Sequence, residues 1–267
     1  MAEFVDWKAI VIVFFIFLPI EHLVPMHDGR RYWRQGMATD LLHFFVTGLV
    51  FKVAFMAVLA VAMAGFTWGV PAEVGEAVGA QPVWLQTLEI IVVADLGFYA
   101  SHRLMHRIPW LWKFHSIHHS IVELDALAAH RVHPLDQLFL KSASLLPVYA
   151  LGFGVLPIVI ANLIYYWQAL IIHSNIRVGF GPLDRIIASP RFHHWHHAKE
   201  RAAVDKNFAG QLSFLDVVFG TMYMPERMPS TYGTSEPVPE LYHEQLAYPF
   251  RRSKKEAGAL SQSEASK

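Results

Sequence analysis

Residues 83–107 read VWLQTLEIIVVADLGFYASHRLMHR. The run from Val83 to Ser101 is apolar and about as long as a helix must be to cross a hydrocarbon core of about 30 Å. Two histidines follow, His102 and His106, four residues apart and therefore on one helix face. Asp95 and Tyr99 fall on that same face. As one helix from Val83 to His106 the segment reaches about 36 Å. It outruns the bilayer and lifts both imidazoles out of one end. The fold this predicts is an all-α membrane bundle with a histidine-bearing polar end.

Working outward, two apolar runs precede it, about Phe4 to Leu23 and about Leu41 to Phe66. The start MAEFVDWK has no basic region and no small-residue cleavage site follows, so the first run reads as an anchor, not a cleaved signal peptide. A fourth apolar region runs from about Leu138 to His173. Gly152, Gly154 and Pro157 interrupt it, which reads as a helical hairpin. Its arms reach about 25 Å each, so the hairpin either crosses fully or forms a short re-entrant pair. About four transmembrane helices result, in one domain over residues 1–250, with a disordered tail over 251–267. Arg30, Arg31 and Arg34 follow the first span; Arg103, Arg107, Lys113 and Arg131 follow the third; residues 65–82, between the second and third, carry no Lys or Arg. The positive-inside rule then places the N-terminus outside, with the histidine-rich segments and the C-terminus cytoplasmic. Lys52 sits within an apolar span, which is costly. It lies at about the depth of Asp95, roughly 20 Å from the outer end, which predicts a Lys52–Asp95 ion pair.

Composition agrees with a membrane protein. The chain has 267 residues, 54% apolar and 16% charged, against about 45–50% and about 25% for soluble domains. Net charge is zero, so nothing favours a nucleic-acid partner. Cysteine is absent, which excludes disulfides, zinc–thiolate sites, cysteine nucleophiles and iron–sulfur clusters. A metal must be held by His, Asp or Glu.

Histidine is abundant: 16 in all, twelve of them between His102 and His197. After His102 and His106 comes HSIHH, with His115, His118 and His119 spaced to share a helix face. His130 and His133 follow, then His173 at the end of the hairpin, then HHWHH with His193, His194, His196 and His197. Each group lies at or beyond the same end of a span, so several segments deliver imidazoles to one level. Neutral imidazole suits iron, zinc, copper and nickel. One zinc takes about four ligands, and this set exceeds that, so spacing points to two nitrogen-ligated metals. His22, His27, His43 and His243 read as interfacial.

These motifs resemble the fatty acid hydroxylase superfamily, also called the sterol desaturase family. Its HxxxH, HxxHH, His-before-Pro, further His and final HxxHH elements read here as His102 and His106; His115, His118 and His119; His133 before Pro134; His173; and His193, His196 and His197. The similarity extends from Asp95 in DxxxYxxHR to Met224, past DKNFAGQLSFLDVVFGT. It implies a non-haem di-iron site held by those ten histidines under a cytosolic helical cap. The implied reaction is O₂-dependent hydroxylation, desaturation or methyl oxidation of a lipid such as a fatty acyl chain or sterol. His130 and His194 occupy positions where no ligand is expected, and Phe208 stands where the family often has Tyr.

Asp95 and Tyr99 are the candidate catalytic residues. Asp95, Asp125, Asp136 and Asp205 are candidates to orient imidazole N–H groups. Tyr165, Tyr166 and Trp167 are candidates to line a lipid pocket. No glycine-rich dinucleotide motif is present, so electrons come from a separate cytochrome- or ferredoxin-type donor with its reductase. Lys199, Arg201 and Lys206 are candidates to receive it, or are simply solvated. The alternative reading is a histidine-rich membrane zinc metallohydrolase, although no HExxH is present. A metal transporter fits less well, because the histidines lie at the span ends.

Overall fold

The computed structural model of the chain describes residues 7–66 and 70–251. The start of the first expected span and, from residue 252, the expected tail lie outside the described residues. Among those residues there are helices and no strand, with two isolated bridges, Pro25 to Ile176 and Ala198 to Tyr232.

Helix α1 covers residues 7–23 and α2 residues 37–66, each with a π-helical stretch, Val11–Phe17 and Val-containing His43–Thr47. They meet through Val13, Phe17, Met37 and Phe44. A short α3 (Ala72–Gly79) leads to α4 (Val83–Arg107), which is one continuous helix. Helix α5 (Pro109–His119) starts at once. Pro109 holds Ile108 extended (φ −96°, ψ 115°) and so breaks the two helices apart. Then come α6 (Pro134–Ala150) and α7 (Val155–His173), the expected hairpin, turned through Gly152 at φ +79°. The short α8 (Pro190–His196), α9 (Phe214–Val218) and α10 (Tyr242–Ala247) complete the polar end.

Met37–Ala62, Val83–Arg107 and Val155–His173 are long and apolar enough to cross a membrane. Helix α6 has 17 residues, or about 25 Å. The outward faces carry Phe15, Val53, Met56, Leu88, Val155 and Val159, all exposed. So extensive an apolar belt suits lipid and not water.

Helix α4 packs against both α6 and α7, and α2 packs against α6. Apolar burial gives little drive between helices in lipid, so close backbone approach matters more. A Cβ on Gly97 would lie 2.2 Å from the Ala143 carbonyl oxygen. Across the same seam Ser144 Oγ donates to Ala94 O at 2.8 Å.

The expected Lys52–Asp95 pair does not form. Lys52 is exposed on α2, and the buried Asp95 carboxylate accepts from backbone amides. Counting residues had placed the two at one depth, but it carried no information on which way each faces.

Buried charges tie the loops to the polar end. Arg34 pairs with Asp125 and, at 2.7 Å, with Asp40, while Arg131 reaches the other Asp40 oxygen at 2.5 Å. Glu21 accepts from the amides of Ala126 (2.8 Å) and Asn175 (2.9 Å). Two histidine-bearing segments are thereby fixed to α1.

Candidate metal centre

Histidines from α4, α5, α7, α8 and the residue after α8 converge in two groups. His102, His106, His115, His119 and His196 form one; His118, His173, His193 and His197 form the other. Within each group one ring nitrogen per residue lies within 4.8 Å of all the others. The two-turn pairing of α4 with α5 explains the first group. His102 and His106 stack one turn apart on α4, and His115 and His119 do the same on α5. His118 lies on the next strip of α5 and faces His173 and His197 instead.

The ring nitrogens are sorted by their partners. His102 Nδ1 donates to Phe208 O (2.7 Å), His115 Nδ1 to Asp136 Oδ2 (2.9 Å) and His196 Nδ1 to Lys206 O (2.8 Å). His106 Nδ1 faces Asp205 at 3.6 Å. In the second group His118 Nδ1 donates to Arg131 O (3.1 Å) and His173 Nδ1 to Ala169 O (2.7 Å). A proton fixed on Nδ1 leaves the Nε2 lone pair free to bind a metal. The Nε2 atoms of His106, His119 and His196 are buried with no hydrogen-bond partner. Nε2 atoms of His118 and His173 lie 3.2 Å apart, and those of His173 and His193 lie 2.9 Å apart. Ligand atoms about 2.1 Å from a shared ion sit about 3 Å from one another. Orphaned buried nitrogens at that spacing fit two metal ions. Burial, reinforced by neighbouring imidazoles, pushes His115, His118, His119, His193, His196 and His197 well below the ordinary imidazole value. They are neutral at pH 7 and able to ligate.

A family model described as fatty acid hydroxylase matches residues 87–221, which include every histidine of both groups. The ornithine lipid hydroxylase OlsE of Rhizobium tropici is 31% identical over 249 residues, 91% of this chain and 73% of the relative. The chain belongs to the fatty acid hydroxylase family. Alkylglycerol monooxygenase of Xenopus tropicalis is 31% identical over 161 residues, 58% of this chain, and that of Homo sapiens 33% identical over 150 residues, 54% of this chain. The chain matches only about a third of the length of those two relatives, 33% and 32%. No solved structure matches it.

Nine of the ten histidines expected from the family pattern meet in the two groups; His133 does not. It caps α6 instead, with Nδ1 accepting from the Leu135 amide (3.1 Å) and Nε2 facing Leu246 O (3.3 Å). Its ring lies between Phe114 and Phe250. The proline after it makes His133 the last extended residue before a helix, a capping position. His194 also lies outside both groups, bound to Tyr232 Oη (2.8 Å) and Ser174 O (3.1 Å). His130 is likewise outside, with Nδ1 on Leu127 O at 3.3 Å.

Asp95 and Tyr99 do not point at the histidines. They hold the segment after the last histidine box, from Asn207 to Leu212. Asp95 accepts from the amides of Gly210 (3.0 Å), Gln211 (3.1 Å) and Leu212 (2.7 Å). Asp216 accepts from Phe208 (2.8 Å) and Ala209 (2.9 Å). Two carboxylates thus secure five consecutive backbone N–H groups. Tyr99 Oη bonds Thr221 Oγ1 (2.8 Å), which donates to Asp216 Oδ1 (2.6 Å). The secured strip presents the Phe208 carbonyl to His102. Asn207, at φ +60°, donates to Phe192 O (2.8 Å) and fixes the strip to α8. The Phe208 side chain packs on His102 and His106.

Of the four aspartates proposed to orient imidazoles, Asp136 and Asp205 face histidines, whereas Asp125 is taken by Arg34 and Asp95 by backbone. Asp216, Lys141 and Asn207 were not singled out by the sequence. Lys141 carried a usable signal, an ionisable residue inside an apolar stretch.

A cavity of about 300 Å³ reaches His102 and His115 of one group and His118, His173 and His193 of the other. Its remaining wall is largely apolar, with Phe98, Leu140 and Leu170, and includes Tyr165 and Tyr166 as expected. Trp167 packs on Phe17 instead. On the other side of the histidines a cleft of about 350 Å³ exposes His106, His119 and His196 beside Trp112, Lys199 and Asp205.

Proposed function

We propose that this protein is a membrane-bound, non-haem di-iron monooxygenase that inserts one atom of O₂ into a C–H bond of a lipid. The observation that carries this reading is the apolar cavity ending on histidines of both groups. It brings a hydrocarbon to a site suited to two nitrogen-ligated metals. Two iron ions would be held by His102, His106, His115, His119 and His196 on one side and His118, His173, His193 and His197 on the other. When bound they supply the oxidising power, with O₂, that no side chain has. The chain's own part is to hold the imidazoles neutral, orient them through Asp136, Asp205 and the Phe208 carbonyl, and exclude water with an apolar wall.

The names of the relatives, an ornithine lipid hydroxylase and alkylglycerol monooxygenases, support a polar lipid as substrate and hydroxylation as the reaction. Helices α1, α2 and α4 and the hairpin α6–α7 are assigned as about four membrane spans, the hairpin entering and returning so that His173 ends on the same side as the other histidines. The loop arginines support a cytoplasmic histidine end, a helical cap made of α5 and α8–α10, and an outside N-terminus. Electrons are then delivered from the cytosol by a separate cytochrome- or ferredoxin-type donor, and the cleft beside Trp112 is the face nearest the histidines on that side.

The test is to compare lipid extracts of cells carrying the wild type and His118→Ala under ¹⁸O₂, with metal analysis of the purified proteins. One lipid gaining one labelled oxygen in the wild type alone, with about two irons per chain, is the expected result. Metal-replete protein that labels no lipid, or that turns over a lipid ester anaerobically, would overturn the reading in favour of a zinc hydrolase.

A further inference from the structure

Lys141 lies on α6 in the apolar part of the chain, its Nζ 3.3 Å from the centre of the Tyr165 ring. An ammonium within a membrane bundle is costly and marks a functional position unless it is paired. A cation–π contact offsets only part of that cost. Lys141, Asn162 and Tyr165 form a partition between two spaces. On one side is a chamber of about 20 Å³, lined also by Asp95 and Gln211. That is room for about one water, and Gln211 Oε1 is buried there with no hydrogen-bond partner. Asp95, across this chamber, is engaged by the backbone amides of Gly210, Gln211 and Leu212, and Lys141 rests on the Tyr165 ring. On the other side is the large cavity that ends on the histidines. Its wall is apolar apart from the histidines and a few polar groups, among them Lys141, Asn162 and Gln137. Asn162 is exposed on α7 beside Leu163 and Ile164, a carboxamide on an otherwise lipid-facing surface.

We propose that Lys141 and Asn162 take an acyl carbonyl oxygen of the lipid, and thereby fix which carbon lies beneath the histidines. The substrate class is then an ester- or amide-bearing acyl lipid, not an ether or a plain hydrocarbon. The proposal rests on the lipid-oxygenase reading for its substrate. Among the described residues no carboxylate lines the cavity, so Lys141 and Asn162 offer N–H donors there that an acceptor oxygen of the lipid would satisfy. Lys141 lies five residues beyond Asp136, which braces His115, about 7.5 Å along α6. A carbonyl held at Lys141 puts carbons a few bonds away at the histidine level, so oxidation falls near the carbonyl end of the chain and not at its terminus.

Metal-free full-length protein in detergent, titrated with dipalmitoyl phosphatidylethanolamine and its di-O-hexadecyl counterpart, tests this without turnover. Affinities are read from thermal shifts. The wild type is expected to prefer the ester about tenfold or more, the effect of a hydrogen bond to a charged donor. Lys141→Met abolishes the preference, and Asn162→Leu, a second variant should the first not fold, reduces it severalfold. Equal affinity for the two lipids in the wild type, or an undiminished preference in both variants, overturns the proposal. Ester preference without ¹⁸O incorporation in cells would sink the oxygenase reading alone. Lipid labelling by a protein with no ester preference would sink this inference alone.

Discussion

Asp95→Asn is the sharpest test of how the site is built. The Asp95 carboxylate accepts from three backbone amides, those of Gly210, Gln211 and Leu212, at 2.7–3.1 Å. It is 1% exposed, so bulk water does not reach it. Asparagine keeps one acceptor oxygen and turns an NH₂ toward at least one of those amides. A hydrogen bond to a charged acceptor contributes about 1.5–3 kcal/mol, and a stranded buried amide costs about 1–3 kcal/mol. The asparagine variant should therefore lose about 2–3 kcal/mol, or roughly 5–10 °C in Tm for a chain of this size. Asp95→Ala, which strands all three amides, should lose more. Loosening the strip also releases the Phe208 carbonyl from His102, so metal content should fall with stability. The assay is thermal unfolding of the detergent-solubilised protein with metal analysis of the same samples. Lys52→Met should add to Asp95→Asn without recovering any of the loss, because the two side chains do not meet. A Tm within about 1 °C of the wild type with unchanged metal would refute the clamp. Partial rescue by Lys52→Met would restore the ion pair.

Gly97→Ala should cost about 3 kcal/mol or more and lower membrane expression, since its Cβ would meet the backbone oxygen of Ala143 at 2.2 Å; Gly48→Ala, with no atom within 4 Å of the new Cβ, is the silent control. Asp136→Asn removes the charged acceptor of His115 Nδ1 and should weaken metal binding about 10–100-fold in chelator competition. His133→Ala should keep full metal content and lose about 1 kcal/mol from the α6 cap, whereas His118→Ala should lose metal; equal loss in both would return His133 to the ligand set. Burial lowers the folded-state values of the six clustered histidines on α5 and around α8, and takes that of His194 to about 3. The unfolded chain then binds protons that the folded one refuses. Their stabilisation is complete above about pH 6.5 and fades as the pH falls, by up to about 1.4 kcal/mol per pH unit per histidine. Denaturant midpoints of the metal-free protein at pH 7.5, 6.5 and 5.5 should fall in that order, and a flat profile would contradict it.

Much of this was legible in the chain. Helical spacing put His102 with His106 and His115 with His119, because residues four apart share a face whatever the fold; it also put His118 with that pair, and the structure places His118 in the other group. The long apolar run of α4 and the broken run of α6–α7 followed from bilayer thickness and from glycine and proline punctuation. Finer placements were decided where the local pattern carries no direction. His133 matched the family motif, yet its place before Pro134 made it a cap. Asp95 sat on the histidine face of α4 but about two turns too deep, where it met the returning strip 210–212 from far along the chain. Asp136, a candidate from the sequence to orient an imidazole, is the buried partner of His115.

Periodicity and hydropathy are local properties, and they determined the helices, the membrane setting and the number of imidazoles available to one end of the bundle. Which imidazoles come together in one group was decided by tertiary structure. His118 and His119 are adjacent in sequence but belong to different groups, because a helix turns about 100° per residue. Each faces whatever α4, α7 and α8 have been packed to present. The orientation of the rings was settled in the same way, by carbonyls and carboxylates up to 106 residues distant. A hydrogen-bond partner that remote leaves no mark on the local pattern of the chain.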